Sequence, residues 1–80
     1  MGAMNEIRIN RIALATAMEG GGFGLVSLSQ RAGVHKNTIR RMLRGECPSR
    51  LDAVLRVANV LGLKATDLLI LEEGGVREDL

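Results

Sequence analysis

The sequence has almost no aromatic residues: Phe23 is the single one, and Trp and Tyr are absent. A core built without aromatic rings must use Leu, Ile, Val, Ala and Met, a composition that suits helices. Cys47 is the only cysteine, so no disulfide can form within the chain, and a lone thiol is typical of a reducing compartment. One Cys and one His leave no ligand spacing for a structural zinc site. A zinc finger is thereby excluded, and we expect no bound metal.

Long apolar runs and catalytic motifs are also missing. No apolar segment reaches the roughly 18 residues that span a bilayer, and no signal-peptide pattern opens the chain. We therefore expect a soluble, cytoplasmic protein without membrane contact. The glycine-rich residues 20–24 lack the following Lys-Ser or Lys-Thr of a phosphate-binding loop. Because there is one His and neither a convergent acid pair nor a nucleophile motif, we expect no enzymatic activity and no cofactor.

The net charge of +2 hides an uneven distribution of charge along the chain. The first 64 residues carry ten Lys or Arg against four Asp or Glu, whereas the last 16 carry one against five. In residues 31–50 the single acid is Glu46, and the chain there is at its most basic. The basic residues of this segment are Arg31, Lys36, Arg40, Arg41, Arg44 and Arg50. Such a cluster is either a phosphate-binding surface or a solvated helix face.

The length of 80 residues predicts a single domain, which we place at residues 5–71. Residues 1–3, ahead of a second Met, are interpreted as a cloning scar, and residues 72–80 as an acidic, flexible tail. The Ala-rich first segment of the domain favours a helix. The alternation of residues 6–10 could equally be a short strand that precedes a helix from Arg11. We favour the helix.

The centre of the chain predicts two short helices joined by a tight turn. The first spans residues 25–32 and ends at Gly33, which tolerates the left-handed backbone of such a turn. The second begins near His35 and ends at Arg44, where Gly45 follows. On a helical wheel its polar, cationic face holds Lys36, Asn37, Arg40, Arg41 and Arg44. The opposite, apolar face holds Ile39, Met42 and Leu43.

The next helix is predicted to begin at Ser49, a good N-cap, with Asp52 in the first turn, where the helix dipole favours an acid. The stripe expected to face the core consists of Leu51, Val54, Leu55, Ala58 and Leu61. A second apolar flank, which that stripe does not explain, consists of Ala53, Val57 and Val60. Some other surface must cover this flank.

A last short helix is predicted to begin at Lys64 or Thr66 and to carry Leu68, Leu69 and Leu71. Because a domain of this size is seldom comfortably stable with uncovered apolar residues, we expect a homodimer. The residues predicted at its interface are Val57, Val60, Leu68 and Leu71.

Residues 28–45 read LSQRAGVHKNTIRRMLRG, which resembles the helix-turn-helix of the Cro and phage-repressor family, also called the xenobiotic response element family. Ser29 stands where the two helices touch, and Gly33 stands at the turn. The core positions of the motif are filled by Leu28, Ala32, Val34, Ile39 and Met42. Residues 45–63 resemble the family's stretch from the glycine after the recognition helix through the fourth helix. Leu25 departs from the pattern, because many members carry there a Gln that contacts a phosphate.

The resemblance implies an all-α, five-helix, lambda-repressor-like domain. It implies a transcriptional regulator, expected to be a repressor, that binds a palindromic operator in double-stranded DNA and reads the major groove with residues 36–44. The implied base contacts are Lys36, Asn37, Arg41 and Arg44, with Arg suited to guanine and Asn to adenine. The implied phosphate contacts are His35, Thr38, Arg40, Ser49 and Arg50.

An alternative function is an interaction module that binds a toxin protein and regulates its own operon. Residues 24–33, which read GLVSLSQRAG, are similar to the addiction-module antidotes, a group of DNA-binding antitoxins. Because fold does not fix function, the same helices could serve either role. The near absence of aromatic stacking residues argues against RNA as the ligand.

Overall fold

The computed structural model describes residues 5–73, which form five helices and a two-stranded antiparallel sheet. In chain order the elements are β1 (Asn5–Ile9), α1 (Arg11–Gly21), α2 (Leu25–Ala32), α3 (Lys36–Leu43), α4 (Leu51–Leu61), α5 (Ala65–Leu68) and β2 (Leu69–Glu73). The predicted five-helix domain is confirmed. The small sheet, which pairs the two ends of the described chain, was not part of the all-α prediction.

An aliphatic core joins all five helices to β1. Its buried residues are Ile9, Leu14, Met18, Leu28, Ala32, Val34, Ile39, Met42, Val54, Val57, Ala58 and Leu68. Within the described part of the chain, no polar or charged side chain is buried. Since removing apolar surface from water contributes about 25 cal/mol per Å², this core is the main source of stability.

α1 and α2 are joined by the glycine-rich segment, where the Phe23 N–H donates to the carbonyl of Met18 at 2.8 Å. The two helix axes differ in direction by 92°. Between residues 5 and 73 no single helix is long and apolar enough to cross a membrane, and α1 with α2 meets that test only as a bent pair.

The turn between α2 and α3 is held by side-chain and main-chain hydrogen bonds. Gly33 has φ of 68°, a left-handed conformation that is strained for residues with a Cβ atom. Its N–H donates to the carbonyl of Ser29 at 2.9 Å, and the Ser29 hydroxyl donates to the carbonyl of Val34 at 2.6 Å. These bonds fix the angle at which α3 leaves α2.

Residues 5–9 form a strand, so the favoured prediction of a helix there is wrong and the alternative is confirmed. Ile9 is 2% exposed and packs into the core, which alternation along a strand allows. The side-chain oxygen of Asn10 accepts the Ala13 N–H at 3.1 Å and caps α1, which begins at Arg11. β2 pairs with this strand to form the sheet, with Ile7 opposite Leu71 and Ile9 opposite Leu69.

The predictions for the end of the domain need two corrections. α5 ends at Leu68, so Leu69 and Leu71 lie in β2 rather than in a helix. Residues 72 and 73, assigned to the flexible tail, also belong to β2. The remainder of the predicted tail and the predicted cloning scar lie outside the described residues.

α4 is rotated relative to its predicted orientation. Val54, Val57 and Ala58 are buried, whereas Leu51 and Leu55 are 47% and 56% exposed. Arg50, not Ser49, is the N-cap residue. Because Val57 and Leu68 are fully buried within one chain, they are not available to a partner, and the interface predicted on them is wrong. Val60 is half-buried, and Leu71 is 60% exposed.

Replacing Ser29 by Ala should lower the free energy of unfolding by about 1 kcal/mol, because the hydrogen bond that closes the turn is lost. The measurement is urea unfolding followed by circular dichroism. Thr16→Ala, at an exposed position of α1, is the control and should change stability by less than about 0.5 kcal/mol. Equal stability of the two variants would mean that the Ser29 hydroxyl does not hold the turn.

Candidate nucleic-acid interface

The first turn of α3 is organised by a histidine cap. The Nδ1 atom of His35 accepts the main-chain N–H of Asn37 at 3.0 Å. This bond satisfies one of the N–H groups that a helix start leaves without a partner. His35, Lys36 and Asn37 are all exposed, so the beginning of α3 is open to a ligand.

The two faces of α3 have opposite character. Ile39 and Met42 are fully buried and attach the helix to the core. On the outer face, one shallow cleft is lined by Asn37, Arg40, Arg41 and Arg44. Three of the four predicted base contacts therefore lie together. Lys36 is exposed at the start of the helix but does not line this cleft.

A second cleft lies between the start of α3 and the start of α4. It brings together four of the five predicted phosphate contacts, namely His35, Thr38, Ser49 and Arg50. The fifth, Arg40, lies on the outer face of α3 instead. A third cleft, lined by Thr38, Arg41 and Ser49 among others, adjoins both. We call these clefts, together with the exposed Lys36 at the start of α3, the basic surface; it comprises residues 35–38, 40, 41, 44, 49 and 50.

Two acids border the basic surface. Asp52 is on the rim of the second cleft, and its carboxylate lies 3.5 Å from Nε of Arg56. Glu46 lines the third cleft beside Arg41. Cys47 lies in the same cleft, and burial raises the pKa of its thiol, which favours the neutral form. The thiol therefore adds no negative charge to this surface at neutral pH.

Three arginines next to the basic surface were missed by the sequence analysis. Arg56 lines the second cleft, because one turn of α4 places it above Asp52. Arg8 and Arg11 share a cleft with Arg44, because the Ile9 N–H donates to the carbonyl of Gly45 at 3.0 Å and brings β1 to the end of α3. Helical spacing from Asp52 could have indicated Arg56. The other two depend on long-range pairing.

The model of the Cro/C1-type helix-turn-helix DNA-binding domain family matches residues 22–74. The chain belongs to this family. The match covers the elements from α2 to β2, including the whole basic surface. It leaves out β1 and α1. No curated protein and no solved structure matches the chain.

Family membership and geometry agree on the position of the helix-turn-helix. α2 and α3 form the helix-turn-helix, and α3 is the second helix, which lies in the major groove in proteins that use this motif. Leu25, the departure noted above, is a half-buried apolar residue at the start of α2 and cannot supply the side-chain amide that many members place there.

Replacing Ile39 by Ala should lower the free energy of unfolding by about 2 to 5 kcal/mol, because a fully buried side chain is lost and a cavity remains. Thermal and urea unfolding would measure the loss. Ile12→Ala is the matched control, since Ile12 is 70% exposed and the same atoms are removed from the surface. A loss no larger than that of the control would contradict the assignment of Ile39 as the anchor of α3.

Proposed function

We propose that the protein is a sequence-specific transcriptional repressor that acts in the cytoplasm on a palindromic operator. The observation that carries the proposal is the exposed outer face of α3 with its C-cap residue Arg44, which together hold three arginines and one asparagine and no acid. The major groove of B-DNA is about 12 Å wide and admits a helix. A helix with this face supplies donors for base edges and positive charge for the phosphates beside them.

Base reading is proposed for Lys36, Asn37, Arg41 and Arg44. Lys36 and Asn37 lie at the beginning of the helix, which enters the groove first in helix-turn-helix proteins. Arg41 follows one turn later on the same face. An arginine in this position can donate two hydrogen bonds to the O6 and N7 atoms of guanine.

Phosphate binding is proposed for His35, Thr38, Arg40, Ser49 and Arg50. Four of these line the cleft between α3 and α4, where hydroxyl, imidazole and guanidinium donors converge. Asp52 borders this cleft, but the 3.5 Å approach of Arg56 offsets its negative charge. Such contacts would fix the register of α3 on the duplex.

Replacing Arg41 by Ala should cost roughly 1 to 3 kcal/mol of affinity for the preferred duplex and much less for random DNA. A base contact is lost only where the correct base is present. Arg50→Ala is the matched variant and should weaken binding to both DNAs. It should also reduce the slope of log K against log salt by about 0.9, the change expected for one phosphate.

Both variants would be compared by fluorescence anisotropy over a range of salt concentrations. Arg41 and Arg50 are exposed, so neither change should disturb the fold. Equal losses for Arg41→Ala on the two DNAs would show that α3 does not read bases at this position.

A homodimer is proposed as the operator-binding form, with the outer edge of β2 as its interface. The Ile9 N–H donates to Gly45 and the Leu69 N–H to Thr66, so this opposed pair is not hydrogen-bonded across the sheet. Because pairs alternate along an antiparallel ladder, the Leu71 main chain also points away from β1. Its N–H and C=O are then free to pair with another strand.

Two copies of β2 can pair in antiparallel fashion about Leu71, which produces a four-stranded sheet and a two-fold axis. The Leu71 side chain, 60% exposed in the single chain, would meet its counterpart at that axis. A two-fold protein matches a palindromic site, whose half-sites lie about 34 Å apart. Among the four residues first predicted at the interface, Leu71 is the one that this proposal retains.

Replacing Leu71 by Pro should abolish the dimer, since proline removes the outward N–H while the ladder to β1 does not use it. Sedimentation velocity at micromolar concentrations would report the change. Leu55→Gln, at another exposed leucine, is the control and should leave the dimer intact. If Leu55→Gln gave monomers and Leu71→Pro gave dimers, the interface would lie on α4. A wild-type protein that stays monomeric even on DNA would contradict the dimer itself.

A further inference from the structure

Asn37 is held at two points before any ligand binds. Its main-chain N–H donates to Nδ1 of His35 at 3.0 Å. Its side-chain oxygen, Oδ1, accepts from Nη1 of Arg40 at 3.3 Å. Both partners are exposed residues of the basic surface, and both lie within one turn of Asn37. The position of the first turn and the direction of the side-chain amide are therefore set locally.

The contact with Arg40 decides which atoms of the amide are available. A guanidinium group has only N–H donors, so the amide atom that faces it must be the oxygen. The amide nitrogen then points away from Arg40, with its two hydrogens available. Asn recognises adenine through two simultaneous bonds, one from its nitrogen to N7 and one from N6 to its oxygen. The oxygen keeps a second lone pair, but an adenine N6–H that used it would lie beside the cationic guanidinium group of Arg40, which disfavours a second donor at this place.

We propose that Asn37 reads an acceptor base, guanine through O6 and N7 or thymine through O4, rather than adenine. This inference rests on the proposed function of α3 as the base-reading helix. Arg40 acts through Asn37 as a positioning residue, and its other N–H groups stay available for a phosphate. His35 acts in the same way on the main chain. The pairing of Asn with adenine, expected from the sequence, is thus revised for this residue.

The test is selection of binding sites from a randomised DNA duplex library, with wild type, Asn37→Ala, Arg40→Ala and Arg40→Lys. The base read by Asn37 is the one whose preference disappears in Asn37→Ala. At that position the wild type should prefer guanine or thymine over adenine by about fivefold or more. Arg40→Ala frees the oxygen and should shift the preference to adenine. Arg40→Lys keeps a donor at the same place and should retain guanine or thymine.

The other possible outcomes separate the role of Arg40, the role of Asn37 and sequence-specific binding itself. Adenine selected by the wild type at that position would overturn the inference. So would an unchanged preference in Arg40→Ala, because Arg40 would then not position the amide. A site that is independent of Asn37 would overturn the inference and leave sequence-specific binding intact. No enriched sequence with the wild type would overturn the proposed function itself. A merely structural role of Arg40 would lower affinity on all sequences without changing which base is preferred.

Discussion

The burial of Ile39 and Met42 is the interaction on which the basic surface depends. Both side chains are fully buried, and together they determine which face of α3 is turned to solvent. The polar residues between them have no alternative but the outside, because burial of an unpaired arginine would cost far more than the two aliphatic contacts contribute. The turn at Gly33, closed by Ser29, then sets the direction of the helix. Core packing thus produces the geometry of the site.

Core packing positions α3, and local hydrogen bonds then fix the arrangement of the side chains at its exposed beginning. His35 caps the helix through a ring nitrogen, and Arg40 orients the amide of Asn37. Neither contact contributes much to stability, since all three residues are exposed and water competes for them. Their effect is to reduce the number of side-chain arrangements that the surface presents. Binding then costs less conformational entropy, which is the general advantage of a pre-organised site.

The helix-turn-helix was predictable from sequence because its signals are local. Glycine at the turn, apolar spacing in α3 and a cationic face are all visible within 20 residues. The conformation of β1 could not be predicted from such local signals, because the alternation over residues 6–10 suits a strand or a helix start equally well. Its partner, β2, lies 60 residues further along the chain. Long-range pairing with β2, not local propensity, determines that residues 5–9 form a strand.

The orientation of α4 was predicted incorrectly for a related reason. Two apolar flanks were present, one with Leu51 and Leu55 and the other with Val57, and helical spacing alone could not say which faces inward. The core is already filled on one side by α1, α2 and α3, and it accepts Val54 and Val57. An interface built on Val57 and Leu68 was excluded once both proved buried within one chain. Only the three-dimensional arrangement distinguishes a core flank from an exposed one.

Amide chemical-shift mapping with a selected duplex tests most directly whether the basic surface contacts DNA. The largest shifts should fall on residues 35–44 and on Ser49 and Arg50, and α1 should change little. Shifts concentrated on α1 or on the exposed face of α4, with α3 unaffected, would contradict a DNA contact at the basic surface.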